Sequence, residues 1–429
     1  DRRGDAEGEA LGLRFDLTVP LARVVAQYAD LPRPFRRYQV APVWRADKPD
    51  RGRFREFVQF DIDSVGVASE IADVEIIAAM CDTLSALAVG GYKVRFSSRK
   101  ILNLLLAFAE LPAEFELTVR GEDALGRPTT RTERRASTDV FRVLDKLDKI
   151  GRDKARRELT TGYTDESGDR VPGLGLTDAQ VDRIEAFLAI RSDRRDDVLA
   201  QLRELLAPVD GAQVEIDVLA DMSRRLAMLG YGDDRVQIDL SIARGLAYYT
   251  GPVYEAVLDD APQFGSVFGG GRYDELVTPF TGQKIPATGA SIGVDRQLAA
   301  QIELGRAPLK KCTAQVLVTS IDPNLMDDYL AITFELRRAG IPAELFVGSK
   351  NIGKQMKYAD QQGVPIALMY GGDEKARGVV TLKDLAAGRA QSGEIDRRED
   401  WIRQRPGQIE APRAGLVSAV RKMLSAGEA

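Results

Sequence analysis

Residues 35–63 read Phe-Arg-Arg-Tyr-Gln-Val-Ala-Pro-Val-Trp-Arg-Ala-Asp-Lys-Pro-Asp-Arg-Gly-Arg-Phe-Arg-Glu-Phe-Val-Gln-Phe-Asp-Ile-Asp, two strand-like runs around a polar turn crowded with arginines. Phe54, Phe57 and Phe60 supply apolar positions in the second run, while Gln59, Asp61 and Asp63 are polar. Side chains two apart on a strand share a face, so these three polar groups look the same way. Arginine grips phosphate oxygens with a planar fork and keeps its charge at any relevant pH. A hairpin with arginines near its bend and acids further along is suited to hold a polyphosphate at one end and a cation at the other.

Composition narrows the chemistry. The 429 residues are enough for two or three domains with their own cores, and the apolar and charged shares, 44% and 29%, are those of an ordinary globular protein. A net charge of −5 means that any nucleic-acid contact must come from local basic patches. Cys81 and Cys312 stand alone in the sequence, which excludes a zinc ribbon and points to a reducing, cytoplasmic setting. No apolar run is long enough for a bilayer. There is no histidine at all, which removes Ser/His/Asp hydrolysis, Cys/His proteolysis and His-ligated zinc together. Chemistry here must run on arginine, carboxylates, tyrosine, glutamine and backbone.

Along the chain, Leu11 to Val19 reads as a strand leading into a helix from Pro20 to about Tyr28, with proline suited to the first turn. After the hairpin, Ser69 to Ala88 has helical spacing and Tyr92 to Ser97 is a short strand. Residues 98–234 change texture to charged, helix-periodic segments, read as a helical insertion. Its basic stretch (Arg127, Arg131, Arg134, Arg135, then Arg152, Lys154, Arg156 and Arg157) is read as a solvated helix surface ahead of an RNA contact. Strand texture resumes at Val236 to Ser241 and Val253 to Leu258, then a glycine run at 269–271 and Gly289 to Arg296 entering a helix. Residues 305–312 read as a linker, and 313–429 as a compact unit of alternating strands and helices with a parallel or mixed sheet.

Taken singly, the remaining motifs are ambiguous. Gly269-Gly270-Gly271 lacks the Gly-Lys-Ser/Thr of a phosphate loop, so a tight turn needing positive φ is favoured. Arg244-Gly245-Leu246-Ala247-Tyr248-Tyr249 reads as a strand whose arginine is costly to bury unless something anionic meets it. Arg296 alone would be a helix-surface charge.

Together these pieces resemble a family. The hairpin resembles motif 2 of the class II aminoacyl-tRNA synthetases, and Gly289 to Arg296 their motif 3. Leu13 to Thr18, Arg244 to Gly251 and Gly270-Gly271-Arg272-Tyr273-Asp274 resemble sub-motifs of the histidyl-tRNA synthetases. Gly353 to Asp360 and Leu382-Lys383-Asp384 resemble that family's anticodon-binding domain. The implied fold is α+β. An antiparallel catalytic sheet is built from 1–97 and 235–304, interrupted by the insertion at 98–234, linked through 305–312 to an α/β anticodon-binding domain at 313–429. Motif 1, the dimer-forming segment, has no match and would lie before Asp1.

The implied reaction joins the carboxylate of L-histidine to the α-phosphate of ATP, expels pyrophosphate, and then charges the 3′ end of tRNA(His). By resemblance Arg244 and Arg45 are catalytic. Arg45, Arg53, Arg296 and Asp47 hold ATP, with Mg²⁺ on its outer phosphates. Asp16, Thr18 and Gln59 take the substrate ammonium, Asp63 and Tyr249 the two imidazole nitrogens, and Arg244, Tyr248 and Tyr273 complete the histidine site. A homodimer working in the cytoplasm, with no membrane attachment, is implied as well.

Some positions depart from the family pattern. Ala247 stands where an acid is usual, Gln297 where an apolar residue is common, and Asp16 and Asp63 are shorter than the glutamates of many bacterial members. Two rivals share the resemblance: a histidine-binding regulatory paralogue controlling ATP phosphoribosyltransferase, and a pseudo-synthetase that senses uncharged tRNA. The first typically lacks the anticodon domain and erodes the region of Arg244 to Tyr249; the second tolerates loss of Arg45, Arg53 and Arg296. All are present, and the enzyme leads.

Overall fold

The computed structural model describes residues 12–122, 127–166, 168–242, 248–307, 311–348, 351–385 and 407–426. Contacts divide the chain into two units, Asp1–Ala307 and Pro308–Ala429.

The first unit is organised by a seven-stranded sheet. Its strands are β1 (Phe35–Trp44), β2 (Glu56–Val65), β3 (Tyr92–Ser98), β8 (Val236–Ile238), β9 (Pro252–Leu258), β10 (Phe268–Arg272) and β11 (Ala287–Gly293), in the order β1-β2-β11-β10-β9-β3-β8. Every pairing is antiparallel except β3 with β8. The hairpin expected at 35–63 is β1 and β2, in a register that sets Arg37 opposite Asp63, Gln39 opposite Asp61 and Ala41 opposite Gln59. Helix α2 (Ile71–Ala86) buries Val74, Ile77, Met80, Cys81 and Leu84, spaced to fall on one face, against the sheet. Helix α10 (Val294–Glu303) follows β11 directly.

Between β3 and β8 lie helices α3 (Arg99–Phe108), α4 (Asp139–Leu144), α5 (Leu147–Leu159), α6 (Asp178–Leu188), α7 (Arg195–Leu205) and α8 (Ala212–Met228). Two hairpins interrupt them, β4 (Glu114–Glu122) with β5 (Pro128–Ala136), and β6 (Gly162–Thr164) with β7 (Arg170–Pro172). Arg131, Arg134 and Arg135 therefore sit on a strand and not on the expected helix. One hydrophobic core runs without a break from α2 and β3 through α3, α6, α7 and α8.

Two local expectations differ from the structure. Residues 12–17 form no strand. Their tie to β1 is a single backbone bond, Trp44 N–H to Arg14 O at 3.0 Å, with Arg14 Nε donating to Pro42 O, which is no ladder. Helix α1 (Thr18–Gln27) begins two residues early because Asp16 Oδ1 accepts from Val19 N–H at 3.0 Å and satisfies a first-turn donor.

The second unit carries a five-stranded mixed sheet, β13-β12-β14-β15-β16, made of β12 (Val316–Val318), β13 (Ala343–Leu345), β14 (Ile366–Met369), β15 (Val379–Asp384) and β16 (Gln408–Pro412). Strands β13, β12 and β14 run parallel, and β15 and β16 are antiparallel to their neighbours. Tyr329, Ile332 and Leu336 of helix α11 (Met326–Arg338) and Leu416 and Val420 of the helix Leu416–Ala426 close its core. No helix among the described residues is long and apolar enough to cross a membrane.

Candidate active site

A cleft of about 220 Å³ opens over β2, β10 and β11, roofed by the 45–55 turn and flanked by the start of α1. Asp16, Thr18, Arg45, Asp47, Arg53, Gln59, Asp63, Tyr248, Tyr249, Tyr273 and Arg296 all line it. Side chains from positions 16 to 296 of the sequence thus meet around one cleft. Arg244 lies outside the described residues.

At the turn end, Gly52 adopts φ +63°, and a Cβ there would lie 2.6 Å from Phe264 and 3.1 Å from Arg296, so glycine meets both conformation and space. This close approach lets Arg296 Nε donate to Gly52 O at 2.9 Å, while its Nη1 donates to Ser266 O at 2.7 Å. The preceding Asp295 accepts from Val58 N–H at 2.6 Å, fixing the start of α10 to β2. Arg45 stacks over Phe15 and Phe57, 4.4 and 5.1 Å from the ring centroids, and donates Nε to Phe15 O. The Arg53 side chain has no hydrogen-bond or ion-pair partner among the described residues. Arg45 is held by two rings and a carbonyl and Arg53 by no protein partner among the described residues, which leaves the charge of both for an anion.

The opposite end is acidic and enclosed. Asp63 accepts a short hydrogen bond from Tyr273 at Oδ1, and Arg37 Nη2 sits 3.0 Å from Oδ2 without the alignment of a hydrogen bond. Burial pushes the Asp63 carboxyl above the ordinary carboxylate range, against the pull of Arg37 and Tyr273. Burial also raises Tyr249 and Tyr273 well above the usual phenol value, so both hydroxyls keep their protons. Tyr248 packs on Tyr249 at 4.5 Å between centroids and edge-on to Tyr273 at 6.5 Å. The tyrosine pair lies on an irregular segment before β9, not on a strand.

The glycine run is also not a turn. Gly269, Gly270 and Gly271 lie inside β10 and none has positive φ. A Cβ on Gly270 would fall 2.1 Å from Gly289 O, and on Gly271 2.9 Å from the Tyr249 ring. Small residues here let a neighbouring strand and an aromatic ring come close. Next in β10, Arg272 is buried behind the cleft, donating to Asp73 Oδ2, Val67 O and Ser69 O. Asp73 in turn accepts from Thr288 at 2.7 Å. Alternation then turns Tyr273 into the cleft.

Three further groups belong to the site and were not assigned from sequence. Arg37, half hidden under α1, donates to Leu17 O and Gln39 Oε1 as it faces Asp63. Ser291 of β11 accepts from Gln59 Nε2 at 2.8 Å. Asp61 is 2% exposed, lines the cleft, and has an oxygen without a partner.

Residues 2–127 and 134–296 match the histidyl-tRNA synthetase family, and residues 315–405 match the anticodon binding domain. The chain belongs to the histidyl-tRNA synthetase family. It is 47% identical to the histidine–tRNA ligase of Cereibacter sphaeroides, over 98% of this chain and 84% of that protein. It is 45% identical to that of Roseobacter denitrificans, over 99% and 84%. The crystal structure of histidyl-tRNA synthetase from Nostoc superposes with a TM-score of 0.67 at 30% identity, covering 95% of this chain and 83% of the other. The family's α+β fold, an antiparallel-dominated sheet with a separate anticodon-binding unit, is the one described above. Within a histidyl-tRNA synthetase cleft, the arginine end and the carboxylate–tyrosine end face a common space, as a two-substrate reaction requires.

Proposed function

We propose that this chain is a histidine–tRNA ligase, which condenses L-histidine with ATP to histidyl-adenylate and pyrophosphate and then esterifies tRNA(His). The observation that carries the reading is the single cleft with three arginines at one end and Asp63 bracketed by tyrosines at the other. Arg53 and Arg296 would take the outer phosphates and Arg45 the α-phosphate, since all three line the cleft and neither Arg45 nor Arg53 has a carboxylate partner among the described residues. Displacement at phosphorus needs alignment and charge neutralisation more than a general base, so a chain without histidine is equipped for it. Arg244 would complete the neutralisation at the α-phosphate.

Asp63 Oδ2 lacks a hydrogen bond and so retains an acceptor for one imidazole N–H, and the protonated Tyr249 hydroxyl can donate to the other nitrogen. An acceptor–donor pair selects imidazole, because an isosteric apolar side chain would leave both buried groups unpaired. Mg²⁺ would arrive with ATP. No three carboxylates among the described residues converge as a cation cage, which suits an ion held chiefly by phosphates and water. Asp47, at the cleft rim, is the carboxylate placed to assist.

The anticodon-binding unit would read tRNA(His), and a reaction on ATP and tRNA is suited to the cytoplasm. A homodimer is supported by the edge strand β1, where Tyr38 and Val40 are 74% and 55% exposed on the apolar face of the sheet. The anticodon domain match argues against the regulatory-paralogue reading. Histidine-dependent ATP–pyrophosphate exchange by the purified protein is the test. Intact histidine binding without exchange would sink the ligase reading in favour of a sensor.

A further inference from the structure

Gln59 and Asp61 stand two apart on β2, with Ser291 of β11 between their side chains. Ser291 is the ladder partner of Asp61, and its hydroxyl accepts from Gln59 Nε2 at 2.8 Å. Gln59 Oε1 and Asp61 Oδ1, both buried, have no hydrogen-bond partner among the described residues. Both residues line the cleft, and with Asp61 ionised both free atoms are pure acceptors. Buried polar atoms are rarely left unmet in a finished site, so an acceptor pair of this kind calls for a donor from outside.

Charge makes the same demand. The groups acting on Asp61 are Asp63 on its own strand, Arg37 from β1, Asp16 ahead of α1 and the Ser291 hydroxyl from β11. Three carboxylates thus face one guanidinium, leaving the floor short of a cation. A metal ion is not what the geometry fits, since no three acids among the described residues converge on a point. We propose that Asp61 is a substrate-binding residue, whose free oxygen, paired with Gln59 Oε1, receives the primary ammonium group of the amino-acid substrate. Burial raises the Asp61 carboxyl to about 7, so near neutrality it often holds a proton that an arriving ammonium would expel. The inference rests on the histidine-activating reading above and adds a residue to it.

The test compares two ligands on the full chain, L-histidine and its deamino analogue 3-(imidazol-4-yl)propionate, in the unaltered protein and in Asp61→Asn. The substitution should weaken L-histidine binding roughly tenfold to a hundredfold, the worth of a charged hydrogen bond, and leave the analogue within about twofold. Equal losses for both ligands, or none for either, would overturn the assignment. A second measurement is calorimetry near neutral pH in buffers of different ionisation enthalpy, with L-histidine as the ligand throughout. L-Histidine should release more protons on binding the unaltered protein than on binding Asp61→Asn, and equal release overturns the proposal. If the unaltered protein binds neither ligand, the functional reading itself fails, which is distinct from Asp61 failing alone.

Discussion

Gly289 of β11 lies directly across the ladder from Asp63 of β2, and a Cβ at Gly289 would stand 2.1 Å from Asp63 Oδ1 and 2.6 Å from Ile62 O. The carboxylate occupies the space a side chain would need. Gly289→Ala should therefore displace Asp63 from Tyr273 and Arg37. The expected result is a KM for histidine raised at least about tenfold with the KM for ATP little changed, read by pyrophosphate exchange. Parallel rises in both constants would mean that the whole sheet had shifted.

The arginines at the other end should separate by stability. Arg53 touches no protein partner among the described residues, so Arg53→Ala should raise the KM for ATP with the melting temperature unchanged. Arg296 holds Gly52 O and Ser266 O, so Arg296→Ala should raise that KM and also destabilise the fold by about 1–3 kcal/mol, measured by urea denaturation.

Stability should respond to pH through Asp61. Its carboxyl rises from 3.8 unfolded to about 7 folded, so the folded chain binds that proton more tightly. The contribution is fully present below pH 3.8 and is lost as pH climbs through about 7. Asp61→Asn removes the penalty. The variant and the unaltered protein should melt alike in acid, and the variant should gain up to about 4 kcal/mol above neutrality. A gap independent of pH would show that the carboxyl does not titrate in this window.

Behind the cleft, Asp73 is fully buried against Arg272 and Thr288. Asp73→Asn leaves the buried guanidinium only Asp274, 3.3 Å away, as a counter-charge and should cost up to about 3–5 kcal/mol in thermal or urea unfolding. A loss under about 1 kcal/mol would mean that Asp274 and the carbonyls of Val67 and Ser69 suffice to hold Arg272.

Much of this was legible in the sequence, because strand periodicity assigns side chains to faces. The hairpin of β1 and β2, the entry of Arg296 into α10 and the alternating second unit follow from residue order alone. Periodicity says nothing of what stands opposite, and the misreadings share that cause. Gly270 looked like a turn because a glycine gives one signal for positive φ and for a strand pressed close. Arg37 takes no role from residue order; register is what sets it across from Asp63. Asp61 read as one polar group among three, since its unmet oxygen is visible only once its neighbours are placed. Strand β5 hid in its charge, with Arg131, Glu133 and Arg135 alternating with Thr130, Thr132 and Arg134, whereas β4 opposite it did carry a strand signal, the alternating Phe115, Leu117 and Val119, inside a stretch read as helical.

Gln59, Asp61 and Asp63 share one face of β2, and the backbone repeat spaces them about 7 Å apart. Aspartate has only two side-chain torsions, so neither acid can reach far along the strand to meet a misplaced group. Under the assignment proposed for Asp61 and Asp63, the strand would act as a ruler. A ligand whose two nitrogen-bearing ends are one methylene too close or too far would satisfy one mark and forfeit the other, so the site would screen length as well as chemistry.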